Sequence, residues 1–398
     1  MRILMIAPEP FFSPRGTPIS IYHRLKAFSR LGIPADLVTY HLGRDPHIDG
    51  VRIFRIPRLP LVRRVKVGPS YLKPFLDAAV FLKALAMLAS GRYQAIHAHE
   101  EAAYFALPLA SLFGLRLLYD MHSSLPQQLA NYGFSGNPWL RGLFVRMERS
   151  VLRKADTVIT ICPDLQEHVA RQGQERKSFL IENTSVEPAP EDIDRLTREL
   201  RRRFGLEGRP LVVYTGTFEK NQGLEMLIQG AGQVLAEFPR AAYLFVGGWP
   251  DQIDRLRRLA RGNGGDDHFV FPGTRPLEEI PIYLAAADVL VSPRSQGTNT
   301  PLKIYSYLAS GKPIVATDLE THRQVLNDRV ARLVPPTAQG LADGIGDLLR
   351  DPSRARSLAR AAGQLAGEKY SYGDYMDKTR RALEHLRGRQ SLPTAGRS

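Results

Sequence analysis

The segment Gly297-Thr-Asn-Thr-Pro-Leu-Lys-Ile-Tyr-Ser306 places a cation where a helix start favours anions. Thr300 has the chemistry of an N-cap, and Pro301 suits a first helical position, where no N–H is needed. Lys303 then falls in the first turn, against the positive end of the helix dipole. An anion held between that lysine and the unpaired N–H groups resolves the conflict, so the segment is a candidate phosphate site. A solvated lysine is the alternative. Other residues able to do chemistry sit where apolar runs end. Gly16 and Thr17 follow the first run, His122 follows Leu115–Tyr119, and Gly216, Thr217, Lys220 and Gln222 follow Leu211–Thr215. Arg294 follows Val289–Val291. Glycine at such ends lets a phosphate approach the backbone. His97 and His99 form a His-x-His without an evident third ligand, and read as packing and loop bonding rather than a metal site. Asp192-Ile-Asp194 reads as acids at a helix start.

These loops need elements to position them, and the pattern supplies two series. Arg2–Ala7, Ala35–Tyr40, Val51–Ile56, Ala95–His99, Leu115–Tyr119 and Asp156–Ile161 read as strands, with helices over about Ile19–Leu31 and Pro163–Arg171. After the proline-rich acidic stretch Glu187–Asp192 the pattern restarts. Strands over Leu211–Thr215, Ala242–Val246, Phe269–Phe271, Val289–Val291, Ile314–Ala316 and Ala331–Val334 follow, with helices between. Alternating strands and helices predict α/β domains with parallel sheets covered on both faces, and ligands outside the C-terminal strand ends. The expected domains are 1–186 and 187–370, then a C-terminal helix over 371–390 returning to the first, and a disordered tail over 391–398.

A chain of 398 residues, 43% hydrophobic and 24% charged, suits two soluble cores. The single cysteine, Cys162, excludes an intramolecular disulfide and a cysteine metal cluster, and fits a reducing cytoplasm. The N-terminus does not read as a signal peptide. A net charge of +14 suits anionic partners. Arg52, Arg55, Arg58, Arg63, Arg64, Lys66 and Lys73 form an acid-free run interleaved with apolar residues, a composition suited to an anionic membrane surface. A buried helix with a basic rim is the alternative. The apolar run Ala78–Ala89 is too short to span a bilayer. No nucleic-acid motif accompanies the charge, and neither a phosphate-loop nor a dinucleotide fingerprint is present.

Taken in order, several motifs resemble the family 4 glycosyltransferases. They are Met1-Arg-Ile-Leu with its glycine loop, Ile96-His-Ala-His-Glu100, Tyr119-Asp-Met-His122, Ala155-Asp-Thr-Val-Ile159, Tyr214-Thr-Gly-Thr-Phe218 with Gln222-Gly223, Val246-Gly-Gly248, Ala287–Pro293 and Tyr307–Thr317. The likeness covers nearly the whole chain. It implies the GT-B architecture, two Rossmann-like domains with parallel sheets facing a central cleft. It also implies transfer of a sugar from a nucleotide-sugar donor, with retention at the anomeric carbon and no metal or other cofactor.

By the same resemblance His122 is the catalytic residue, bonding the donor sugar or moving the acceptor proton, and Gly16 and Thr17 approach the diphosphate or acceptor. Donor binding falls to Gly216, Thr217, Lys220, Gln222, Arg294, Thr298, Asn299, Thr300, Lys303 and Ser306. This chain departs from the family at four of these places. Thr298 and Ser306 stand where two glutamates are usual, and Thr217 and Gln222 where arginine and lysine grip the diphosphate. Lys220, Arg294 or Lys303 are expected to replace the lost charge. The acceptor is expected to be a glycan or lipid-linked molecule. Arg58, Arg63, Arg64, Lys66 and Lys73 are the expected membrane or acceptor patch of a cytoplasmic protein peripheral on the inner membrane face. A second reading is a GT-B-shaped binding or scaffold subunit without transfer activity, and a third is a sugar-nucleotide epimerase.

Overall fold

The computed structural model describes residues 1–59, 62, 65, 72–124, 126, 138–185, 188–263 and 265–388. The chain divides into two units, Met1–Glu182 with the segment from Gly373 onward, and Asn183–Tyr372.

In the first unit the strands are β1 (Ile3–Ala7), β2 (Ala35–Thr39), β3 (Val51–Arg55), β4 (Ala95–His99), β5 (Arg116–Met121), β6 (Thr157–Thr160) and β7 (Ser178–Leu180). All pair in parallel, in the order β3-β2-β1-β4-β5-β6-β7. The helices are α1 (Gly16–Arg30), α2 (Lys73–Ser90), α3 (Ala102–Phe113), α4 (Pro138–Lys154) and α5 (Pro163–Arg171). Strands β1, β2, β4 and β6 are buried at every position, as a sheet covered on both faces requires. Helix α2 buries Leu76, Val80, Ala84 and Leu88, one residue per turn, against the sheet. Gly114 closes α3 with a left-handed φ of 63°, which glycine adopts without strain.

The second unit opens with α6 (Ile193–Arg203) and continues through β8 (Leu211–Thr215), α7 (Leu224–Glu237), β9 (Ala242–Val246), α8 (Pro250–Arg261), β10 (Phe269–Gly273), α9 (Ile280–Ala285) and β11 (Val289–Ser292). It then runs through α10 (Lys303–Ala309), β12 (Ile314–Thr317), α11 (Glu320–Arg323), β13 (Arg332–Val334), α12 (Ala338–Arg350) and α13 (Pro352–Lys369). Its parallel strands lie in the order β10-β9-β8-β11-β12-β13. Alternate residues feed opposite faces. Val212, Tyr214, Tyr243 and Phe245 enter one core, and Leu211, Val213, Ala242 and Leu244 the other. The last helix, α14 (Tyr372–Arg387), belongs to the first unit, where Arg116 Nη1 donates to the Leu386 carbonyl at 2.5 Å.

Both sheets therefore have the Rossmann strand order. Strand order reverses between β1 and β4 in the first and between β8 and β11 in the second, which marks the C-terminal ends of those strands as ligand positions.

One local expectation is corrected. Thr300 is not the N-cap and Pro301 is not the first helical residue, because α10 begins at Lys303 with Leu302 before it. Ile304 N bonds to Pro301 O at 3.0 Å and Tyr305 N to Leu302 O at 3.3 Å, so the entry turn is wound one residue tighter than an α-helix. The Thr300 hydroxyl is buried and makes no hydrogen bond.

Candidate active site

In the second unit the residues at the reversal point converge on Lys303. Its ammonium lies 3.7 Å from the centre of the Tyr214 ring and donates to Gln222 Oε1 at 3.1 Å. Among the described residues no carboxylate pairs with it. Burial first, and then the nearby Arg294 charge, pull its pKa well below the usual lysine value. Tyr214 Oη donates to the Thr217 carbonyl at 2.6 Å and reaches Gln222 Oε1 at 3.2 Å, which fixes both residues of the loop after β8.

That loop is built on backbone only glycine can adopt. Gly216 and Gly247 have φ of 136° and 128°, and a Cβ on Gly247 would overlap the Gly216 carbonyl oxygen. A Cβ on Gly216 would stand 3.0 Å from Lys303 Nζ, so the glycine leaves the ammonium its room. Gly223, which ends the same loop, lies against Pro293 at the end of β11, and Ser295 N bonds to Asn221 O at 3.0 Å. The two strand ends at the reversal point are thus tied together.

The remaining donor-side residues divide by role. Arg294 holds its own loop, with Nε donating to Gln296 O at 2.6 Å and Nη1 to Asn299 O at 3.0 Å. The Asn299 carbonyl also accepts from Thr321, and the Thr298 carbonyl from Gln324 at 2.7 Å. Thr298 is exposed, with its hydroxyl 3.3 Å from Asn299 Oδ1. Ser306 follows Lys303 by three positions on α10, hence on a neighbouring surface of that helix. Lys220 stands exposed at the start of the short turn Lys220–Gln222.

In the first unit the centre is a carboxylate the sequence did not single out. Asp120, on β5 and fully buried, lies between Arg24 and His122. Its Oδ2 meets Arg24 Nε at 3.3 Å and accepts a hydrogen bond from His97 Nε2 at 3.1 Å, while Oδ1 lies 3.2 Å from His122 Nε2. His99 Nδ1 is 3.8 Å from Oδ2, and its ring stacks on His97 at 4.5 Å. Burial alone would raise the Asp120 pKa, but Arg24 first and then His122 hold it well below the usual range. Burial drives His97 and His99 down, hence neutral. For His122 burial is outweighed by Asp120, and the imidazole is raised above its ordinary value.

His97, His99 and Asp120 bring ligand-type atoms within 4.8 Å of one another. The carboxylate oxygen they would share is already engaged by the Arg24 guanidinium and the His97 imidazole, so a dication would have to displace a buried cation. The signal for this cluster was the His-x-His at 97 and 99 beside Tyr119-Asp-Met-His122. What could not be seen is that the pairing β4–β5 sets His97 and His99 next to Leu118 and Asp120.

Beyond β1 and β4 lies a second charged group. Lys73 Nζ pairs with Glu101 at 2.6 Å and approaches Glu9 at 3.8 Å, and Arg15 Nη2 pairs with Glu9 at 2.7 Å. Tyr40 bonds to Asp77, whose carboxyl is pushed up to about 7 by burial and by Glu101. Glu100 takes φ of 48°, a strained conformation for a glutamate. Gly16 and Thr17 open α1, and a Cβ on Gly16 would meet open space.

Three cations of the basic run meet acids. Arg52 pairs with Asp36 of the neighbouring strand at 2.8 Å, Arg55 with Asp45 at 2.6 Å, and Lys73 turns onto Glu101. Acids far away in sequence are brought to these cations by strand pairing, which a local count of charge cannot show. Arg58 is exposed, whereas Arg63, Arg64 and Lys66 lie outside the described residues. No described helix is long and apolar enough to cross a membrane.

Comparison with known proteins agrees with this architecture. The family model described as a glycosyl transferase 4-like domain matches residues 15–183, and that for glycosyl transferases group 1 matches residues 209–351, most of the chain between them. The chain is 26% identical to the alpha-D-kanosaminyltransferase of Streptomyces kanamyceticus over 61% of its own length and 64% of that protein, just under two thirds. It is 27% identical to the phosphatidyl-myo-inositol mannosyltransferase of Mycobacterium tuberculosis, covering 84% of this chain and 82% of the relative. Among solved structures, the sucrose-phosphate synthase of Thermosynechococcus elongatus superposes with a TM-score of 0.77 at 22% identity, over 98% of this chain and 100% of that one. HepE of Anabaena, solved in complex with UDP, gives 0.72 at 19% identity, over 97% and 100%. The chain belongs to the family 4-like glycosyltransferases and has the GT-B fold of two Rossmann-like domains.

Proposed function

We propose that the chain transfers a sugar from a nucleotide-sugar donor to a glycan or lipid-linked acceptor, retaining the anomeric configuration. The second unit takes the donor and the first the acceptor. The observation that carries this is Lys303, which has no carboxylate partner among the described residues and stands at the reversal point of the second sheet, beside Gly216, where a Cβ would crowd its ammonium. Its ammonium stands 3.1 Å from Gln222, so the charge absent from position 222 is supplied at the same place from α10. Positive charge for the departing diphosphate comes from Lys303 and Arg294 rather than from a metal ion. Thr298 and Ser306 offer hydroxyls to the sugar and ribose in place of carboxylates.

In the transfer the bond from the anomeric carbon to the diphosphate breaks, a bond to the acceptor oxygen forms, and the acceptor proton leaves with the diphosphate. For His122 burial is outweighed by Asp120, which raises the imidazole above its ordinary value and favours its hydrogen-bond-donating form over the role of proton acceptor. Its part is to donate a hydrogen bond to the donor sugar as charge builds up. HepE is a structural neighbour solved with UDP, and the mycobacterial relative is named for a phosphatidyl-inositol acceptor; both support the choice of substrate classes.

Calorimetric titration with UDP, GDP and ADP, followed by turnover assays with their sugars, tests the reading. One nucleotide is expected to bind in the micromolar range and its sugar to be consumed. A chain that binds none of them is the scaffold subunit, and consumption with a changed sugar nucleotide as product marks the epimerase. Docking on an anionic membrane belongs to the same proposal. It is supported by exposed apolar side chains on the first unit, Phe75 and Leu82 on α2 and Leu112 on α3. Flotation with phosphatidylglycerol vesicles is expected to recover the chain, with loss on Phe75→Ser/Leu82→Ser. Failure to float removes the membrane claim alone.

A further inference from the structure

We propose that Asp120 is the positioning residue of His122. It fixes the Nε2 end of the ring and supplies the counter-charge of the imidazolium, and it is itself braced by Arg24 against the last helix. The contacts form one chain of buried groups. Thr379 Oγ1 accepts from Arg24 Nη1 at 3.0 Å, and the Arg24 guanidinium lies 5.0 Å from the Tyr375 ring centre. Arg24 Nε reaches Asp120 Oδ2 at 3.3 Å, and Asp120 Oδ1 reaches His122 Nε2 at 3.2 Å. Arg24, Asp120 and His122 are each at least 97% buried.

The arrangement has a definite chemical consequence. A carboxylate removed from water persists only when paired, and here it stands between a permanent guanidinium and a titratable imidazole. Arg24 keeps Asp120 ionised without consuming both oxygens, so Oδ1 remains for His122. His97 donates from Nε2 to the other oxygen, and it and His99 stay neutral, so they add no competing charge. The charged or titratable groups facing His122 are then Asp120 of β5, Arg24 of α1, His97 and His99 of β4, and Glu100 just beyond β4. Among these described groups two are acidic and Arg24 is the permanent cation. The return of α14 to the first unit gains a functional meaning, since its Thr379 and Tyr375 hold the arginine that holds the carboxylate.

This inference rests on the reading that His122 meets the substrate, but its test does not need turnover. The full chain labelled with 13C,15N-histidine is titrated by NMR, and the His122 resonances are assigned by their loss in His122→Gln. Wild-type His122 is expected to titrate above an ordinary histidine and to be protonated at Nε2 throughout. In Asp120→Asn its midpoint is expected to fall by more than one pH unit, more than tenfold in proton affinity. In a coupled assay with UDP-glucose and GDP-mannose the same variant should lose kcat with little change in KM, and the pH profile should shift in parallel. A wild-type His122 that is neutral at pH 6.5 overturns the proposal, even if Asp120→Asn does not fold. An unmoved midpoint in a folded Asp120→Asn overturns it as well. A shifted His122 in a chain inert toward every nucleotide sugar upholds the positioning role and overturns the transfer reading alone.

Discussion

The two sheets carry opposite electrostatic situations at equivalent strand ends. In the first unit the buried Asp120 has Arg24 and His122 as partners, and the half-buried Lys73 has Glu101 and Glu9. In the second, Lys303 meets a glutamine oxygen and a tyrosine ring, and no carboxylate among the described residues. Desolvated charge is costly, so a fold tolerates it unpaired only where something else benefits. The first site is complete without a ligand and serves to orient a side chain. Under the proposed function, the second becomes electrostatically complete when the donor diphosphate binds. The backbone differs in the same sense. Gly216 and Gly247 in the second unit have no room for a side chain, whereas Gly16 in the first faces open space.

The comparison breaks most visibly on stability. Arg24→Met strands a buried carboxylate and is expected to cost about 3–5 kcal/mol in urea unfolding. Lys303→Met removes a desolvated amine with no carboxylate partner among the described residues and should stay within about 1 kcal/mol of the parent. Equal losses in the two variants would erase the distinction drawn between the units.

Binding should rank the pair the other way. Lys303→Met is expected to weaken UDP or GDP roughly 10- to 100-fold, the scale of a charge-assisted hydrogen bond of about 1.5–3 kcal/mol. Because the free lysine has a lowered pKa that a diphosphate would raise, binding should take up protons. Calorimetry in buffers of different ionisation enthalpy reads this directly, and zero uptake would mean that the phosphates do not meet Lys303.

A smaller contrast concerns the glycines. Gly247→Ala forces a left-handed residue into a carbonyl and should lower stability by about 1–3 kcal/mol. Gly16→Ala, at ordinary φ in open space, should be neutral or stabilising by about 0.5 kcal/mol in thermal melts.

The slightest effect is a difference in the sign of pH dependence. Asp77 at about 7 and His122 have folded pKa values above their unfolded ones, so what they contribute is present at lower pH and lost as pH rises through those values. Lys303 has a lowered folded pKa, so its contribution is present above the unfolded value and lost as pH falls. Between pH 6.5 and 9 the first unit should loosen and the second tighten, by at most about 1.4 kcal/mol per group per pH unit. Peptide-resolved hydrogen exchange, corrected for intrinsic rates, should show opposite slopes; parallel slopes would count against it.

Much of the fold was legible because strands buried on both faces are continuous apolar runs. Ala95–His99 and Leu211–Thr215 have the same bounds in sequence and structure, and Pro163–Arg171 is the helix expected there. The start of α10 was misplaced because Thr300 and Pro301 satisfy local capping rules while a tighter turn wins in place. Lys303 was legible as a cation out of place. Its neighbours were not, since Gln222 and Tyr214 reach it across a separation of more than eighty residues. The acidic partners of Arg52 and Lys73 were not legible for a similar reason, because Asp36 and Glu101 come from other elements.

The sequence by itself determined two Rossmann-like halves, glycine at the loops that must turn sharply, and a lysine and a histidine at their strand ends. Those follow from periodicity and backbone sterics, which act over a few residues. Tertiary structure alone decided which charges are compensated. It placed Arg24 and Thr379 around Asp120, and among the described residues it brought no acid to Lys303. Charge compensation depends on distance and burial in three dimensions, and the pairing of strands far apart in the chain sets both.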